Sequence, residues 1–236
     1  MLGFILTDVA IPRADLRRLL QEAVNTSFNR ISIDSDTSTS DTVALISSGK
    51  VDGVDEAAFA AGLRQVCQDL AEDVVRNGEG VRHVIRVKIT GAPDDAFATL
   101  LGRAVVNAPL FKCAIAGNDP NVGRLVQAIG RHLGHHAPEF DARAMRLTMG
   151  DSHIFGDGVF NLDPQKEIAL TTHLREAELY TSAPTADGAF HPPVDYPTHE
   201  KSVEIGIELG SGPGTATVLG GDLTHEYITE NADYRS

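Results

Sequence analysis

Apolar residues recur along this chain at two periods, three to four residues and two residues, and the switches between them outline the elements. Met1 to Leu6 opens as an unbroken apolar run. It reads as an ordinary first strand, or as a terminus created inside a folded precursor, since true N-termini are usually polar and frayed. Pro12 suits a helix start, and Leu16, Leu19, Leu20, Ala23 and Val24 follow on one helical face. Residues 29–48 have strand-like ends around a cluster of hydroxyls and acids. A second helix is predicted by Phe59, Leu63, Val66, Leu70 and Val74, ending near Asn77-Gly78. From His83 to Thr90 the period becomes two, with Ile85, Val87 and Ile89 opposite Arg86, Lys88 and Thr90, which predicts a strand. Residues 94–107 and 122–132 read as helices, with 110–116 as a buried strand between them.

The segment His132–Pro138 (HLGHHAP) reads as a linker. Short strands are predicted near 144–149 and 153–160, then a helix over 165–179 and a long Pro-, Ser- and Thr-rich surface loop over 181–201. Val203, Ile205, Ile207 and Leu209 alternate as a strand, and the glycines of 210–214 (GSGPG) read as a hairpin turn into the partner strand TATVLG. Strands alternating with helices up to about residue 133 indicate an α/β or α+β layered domain. The chain therefore divides into a main layered domain, 1–135, and a smaller C-terminal α+β part, 136–236.

Charge narrows the partners. A net charge of −13 over 236 residues argues against nucleic acid and against an anionic membrane surface, both of which demand clustered Lys and Arg. No apolar run reaches membrane-spanning length. Cys67 and Cys113 lie far apart, each in an apolar segment, and are expected reduced and interior.

Candidate chemistry is sparse. Asp34-Ser35-Asp36 opens like a calcium loop, but Thr39 stands where that loop needs Gly and Leu45 where it needs Glu. The cluster through Thr42 is therefore a turn capping its own backbone, or a loop lining a polar site. Asp119–Arg124 has good helix-opening chemistry. His132, His135 and His136 have no metal-ligand spacing, and neither H-E-x-x-H nor G-x-S-x-G occurs. Glu79 lies between two glycines, as an exposed loop acid or as a group that a ligand can approach closely. The residues alone give an acidic α/β protein without a complete catalytic constellation.

Five blocks taken together say more: MLGFI, SFNRISIDSDTSTSDTV, NGEG, NAPLFKCAIAGNDPNVGR and DLTHEYITENADYRS, in this order from first residue to last. They resemble the ornithine acetyltransferase (glutamate N-acetyltransferase) family, and specifically its C-terminal chain after self-cleavage. The resemblance implies a layered αββα-type sandwich completed by the upstream chain. It implies acetyl transfer from N-acetylornithine to glutamate by a ping-pong route through an acetyl-threonine, with some members also using acetyl-coenzyme A. The nucleophile would be a threonine one step before Met1, so no residue numbered here is catalytic. By resemblance Glu79, Asn231 and Ser236 bind substrate, with Ser236 standing for a terminal Thr or Ser. The oxyanion donors and a substrate-binding lysine and threonines would lie in the upstream chain. No cofactor is implied. Two heterodimers often associate into a heterotetramer, and a bacterial cytoplasm is the default location. Val122, where the family commonly has Trp, and the long 181–201 loop are departures that bear on the exact acceptor. A related self-cleaving amidohydrolase or aminopeptidase, and a degenerate partner subunit, are the alternatives.

Overall fold

The computed structural model describes residues 1–179 and 201–233. In chain order the elements are β1 (Leu2–Val9), α1 (Arg13–Asn25), β2 (Ile31–Ser32), β3 (Thr42–Val51), α2 (Glu56–Arg76), β4 (Val84–Ala92), α3 (Asp95–Val106), α4 (Pro109–Ala116) and α5 (Val122–His136). There follow β5 (Arg146–Met149), β6 (Ser152–Gly156), β7 (Val159–Phe160), α6 (Pro164–Ala177), β8 (Val203–Glu208), β9 (Gly214–Gly221) and α7 (His225–Ala232). The chain forms two compact units, one of residues 1–31 and 35–74, the other of residues 32–34 and 75 onward.

In the first unit β1 and β3 pair in parallel, Leu2 opposite Thr42 through Thr7 opposite Ser47. Ile5 turns inward onto Leu19, Ala23, Phe28, Leu63, Cys67 and Ala71, a core supplied by the apolar faces of α1 and α2. Successive strand residues point to opposite faces. Leu2, Phe4 and Leu6 therefore stand outward, 67%, 61% and 75% exposed. The opening apolar run thus has one covered face and one bare face.

The second unit is built on a mixed sheet of order β2-β9-β4-β8-β5-β6-β7. Central β4 pairs in parallel with β8 and antiparallel with β9. Its Ile85, Val87 and Ile89 are fully buried, with Leu101 and Val105 of α3, Phe111 and Ile115 of α4, and Leu125 and Ile129 of α5 in the same core. The sequence placed a boundary between 135 and 136. The compact units divide near residue 75 instead, because β4 exchanges hydrogen bonds with strands more than a hundred residues downstream. That pairing leaves no trace in local periodicity.

Four local expectations are corrected. Residues 110–116 form helix α4, not a strand: Pro109 occupies the first turn, and Phe111, Ala114 and Ile115 are buried at helical spacing. A short, uninterrupted apolar run does not distinguish a buried strand from a buried helix. Cys113 falls on the outer face of α4 and is exposed, whereas Cys67 is buried as expected. The linker at 132–138 is largely the end of α5, where His132 is buried with its ring 5.5 Å from Phe97 and 4.4 Å from His136. Finally, GSGPG is not a tight hairpin, since β8 and β9 flank β4 on opposite sides. The loop crosses the end of β4, and a Cβ on Gly212 would lie 2.1 Å from the Ala92 carbonyl oxygen. Glycine is required there by backbone contact.

Candidate functional site

Helix α2 ends at Arg76 and the chain turns through Asn77–Gly80 before β4. Gly80 holds φ +65, in the left-handed region that favours glycine, and a Cβ there would sit 2.2 Å from the Tyr227 backbone nitrogen. The first turn of α7 therefore rests directly on this backbone. Thr224 fixes the contact: its Oγ1 accepts from the Tyr227 N–H at 3.1 Å as the helix N-cap and donates to the Gly80 carbonyl at 2.6 Å.

That seat sets the register of α7 and carries Asn231 to Glu79. The Asn231 side-chain amide donates to Glu79 Oε2 at 2.9 Å and to the Tyr227 carbonyl, one turn back, at 3.0 Å. Glu230, beside it, faces Glu79 and Glu226. Loss of solvent, and then these two carboxylates, push its carboxyl above the usual range, while the Gly80 N–H opposes the shift. Glu79, Glu226 and Glu230 make an acidic rim, which suits a cationic group.

Behind the rim lies a buried polar brace. Asp222 accepts from the Arg82 N–H at 2.9 Å and holds His83 Nδ1 at 2.7 Å, and both His83 and Asp222 side chains are fully buried. The residues just after Gly80 are thereby tied to those just before α7.

The first unit gathers the hydroxyl-rich turn beside Met1. The Thr42 N–H donates to the Met1 carbonyl at 3.1 Å, and Asp41 Oδ1 lies 2.8 Å from the Met1 nitrogen. Within the turn Asp41 accepts from Ser38 N–H at 3.3 Å and Ser38 Oγ from Ser40 N–H at 3.1 Å. The self-capping expected of this segment is present.

The Asp119–Arg124 block is structural. Asn121 caps α5 by accepting from the Arg124 N–H at 3.2 Å, and Val122 is 3% exposed in the core. Among the described residues no group of three or more His, Cys, Asp or Glu side chains could hold a metal ion.

Of the residues singled out from sequence, Glu79 and Asn231 are brought together, and Ser236 lies outside the described residues. The loop 181–201 lies outside them as well, apart from Lys201. Sequence reading passed over Thr224, Tyr227 and Glu230, and took the glycine at 80 as room for a ligand where the structure places the backbone of α7. Thr224, three residues before Tyr227 at the start of a helical stretch, is a legible N-cap, but nothing local says what the helix rests on.

Comparison with known proteins places this geometry in context. The ArgJ family matches residues 1–236. The arginine biosynthesis bifunctional protein ArgJ of Ruegeria pomeroyi is 37% identical over 238 residues, covering 100% of this chain and 51% of that protein. Its counterpart in Agrobacterium fabrum is 36% identical over 247 residues, covering 100% and 53%. The chain thus spans about half the length of the curated relatives it matches. A crystal structure of arginine biosynthesis bifunctional protein ArgJ from Bacillus halodurans is similar with a TM-score of 0.81 at 31% identity, covering 99% of this chain and 100% of that one.

Proposed function

The chain belongs to the ArgJ family, and from that premise we propose that it is the C-terminal part of an acyltransferase that moves the acetyl group of N-acetylornithine to glutamate. A threonine preceding Met1 in the longer precursor is exposed by self-cleavage and becomes the nucleophile. Its hydroxyl oxygen attacks the acetyl carbonyl, the C–N bond breaks, and ornithine departs with the proton. The amine of glutamate then takes the acetyl group from the ester and regenerates the hydroxyl. The covalent acetyl-enzyme carries the group, so no cofactor takes part.

The observation that carries this reading is the Asn231–Glu79 contact. Two of the three side chains matched to substrate binding by resemblance meet at 2.9 Å across 152 positions of sequence. The Glu79 side chain receives an ammonium group of the amino-acid substrate, and Asn231 orients it. Ser236 supplies a hydroxyl to the same substrate.

The upstream half completes the protein, supplying the oxyanion donors and further substrate contacts. Its natural seat is the bare face of β1, where Leu2, Phe4 and Leu6 form an apolar row that a second layer would cover to give an αββα-type sandwich. Two such heterodimers make a heterotetramer, in a bacterial cytoplasm.

The test is the intact mass of the C-terminal fragment from full-length expressed protein, before and after N-acetylornithine. A fragment beginning with threonine that gains one acetyl group, about 42 Da, and loses it on adding glutamate supports acetyl transfer. A fragment that never gains mass refutes it. One that sheds the group equally fast without glutamate is a hydrolase.

A further inference from the structure

A buried lysine is linked by hydrogen bonds to the helix that carries Asn231. Lys112, on α4, is 3% exposed. Its ammonium donates to the Ile33 carbonyl, and the carboxylates of Asp222 and Asp34 favour its charge. Burial by itself disfavours that charge and lowers the lysine's pKa, so the site is stable only with these partners in place.

Two routes run from Lys112 to α7, one through its ammonium and one through its ammonium and backbone carbonyl together. On one, Lys112 pins Ile33, and neighbouring Asp34 accepts from the Tyr227 hydroxyl at 3.4 Å. The Tyr227 carbonyl in turn accepts from Asn231. On the other, Lys112 faces Asp222, which anchors Arg82 and His83, and the Lys112 carbonyl accepts from the Leu223 N–H at 3.4 Å. Leu223 leads into Thr224, the cap that grips Gly80. The first route ends on Asn231, and the second on the backbone of Gly80, next to Glu79.

We propose that Lys112 is a positioning residue for the amino-acid subsite: it clamps the Ile33–Asp34 segment and the Asp222–Thr224 corner, and so holds α7 where Asn231 meets Glu79. The inference rests on the acetyltransferase reading for what that subsite binds. Lys112 touches no substrate; its effect is on binding geometry, so it governs KM and leaves turnover of the bound complex nearly untouched.

The experiment replaces Lys112 by Met in the full-length, self-cleaving protein. Steady-state kinetics with N-acetylornithine and glutamate are combined with hydrogen exchange of the α7 amides. The expected result is a KM for N-acetylornithine raised about tenfold with kcat within about twofold. Amides of residues 225–232 should exchange faster while those of α3 do not change. An unchanged KM, or acceleration spread evenly over the chain, overturns the proposal. Where Lys112→Met does not fold, Tyr227→Phe removes only the hydroxyl held by Asp34. It should raise KM about threefold and loosen α7 alone, and no change in either overturns the clamp. Glu79→Gln is measured beside them. If it leaves KM unaltered the substrate reading fails, and α7 exchange alone then decides whether Lys112 holds the helix.

Discussion

Asn231 reaches Glu79 from the last described helix of the chain, donating at 2.9 Å to a carboxylate that lies 152 positions upstream. The contact is solvent-accessible, so its value lies in aiming a charge more than in stabilising the fold. Glu79→Gln is expected to raise the KM for N-acetylornithine about tenfold or more with a much smaller change in kcat, since it removes a charge-assisted bond to the substrate. Asn231→Ala should act in the same direction but more weakly. The double variant should cost less than the sum, because the two side chains act as one unit. Strict additivity in that cycle would show that they work separately.

Gly80→Ala tests the seat of α7. The new methyl would meet the Tyr227 backbone at 2.2 Å and would force a side chain into φ +65. The atoms it meets belong to the main chain of Glu226 and Tyr227, not to a flexible side-chain end. The variant should lose about 2 kcal/mol or more of stability, and the KM for N-acetylornithine should rise as α7 is displaced. Denaturant unfolding and kinetics on one preparation check both; an unaltered midpoint would mean that α7 does not rest on Gly80.

Stability should fall on mild acidification. Burial lowers the pKa of His132 and of His173, in each case as the largest cause. His173 Nε2 accepts from the Glu204 N–H at 3.1 Å, which only the neutral ring can do. A lowered folded pKa means that the unfolded chain takes up the proton first. The stabilisation is complete above about 6.5 and is lost as pH drops from there toward the folded values. Urea midpoints between pH 7.5 and 5.5 should decline, and His173→Gln with His132→Phe should flatten the curve. At lower pH Glu230 works in the opposite sense: its carboxyl, raised in the fold, takes up a proton earlier than in the unfolded chain and returns some stability.

The outer face of β1 is the place to test association with the upstream half. Phe4 and Leu6 are 61% and 75% exposed, so Phe4→Glu or Leu6→Glu should change the stability of this unit by less than about 0.5 kcal/mol. Co-purification of the upstream fragment should drop sharply, because a charge would be buried against an apolar layer. Undiminished co-purification would place the interface elsewhere.

The helices α1 and α2 and the strands β4 and β8 were legible in the sequence because one face of each meets a core, and that writes a period into the chain. Helix α4 was not, because a short run that is nearly all apolar carries no period. The glycines at 210–214 were read as a hairpin because glycine reports only that a side chain is unwelcome, not whether a turn or a crossing strand excludes it. Of the site, Glu79 stood out only as an acid between two glycines, open to either a loop or a ligand reading, whereas Asn231 and Ser236 came from resemblance alone.

By itself the sequence determined the amphipathic elements, the acidic charge and the blocks that place the chain in its family, all of which are written in neighbouring residues. Only the tertiary structure decided that β4 lies between β8 and β9, that Lys112 is buried beside Ile33, and that Glu79 meets Asn231. The reason is one of range. Periodicity reports which face of an element is covered, whereas strand order and long-range contacts depend on what covers it, and that choice is made by packing between segments far apart in the chain.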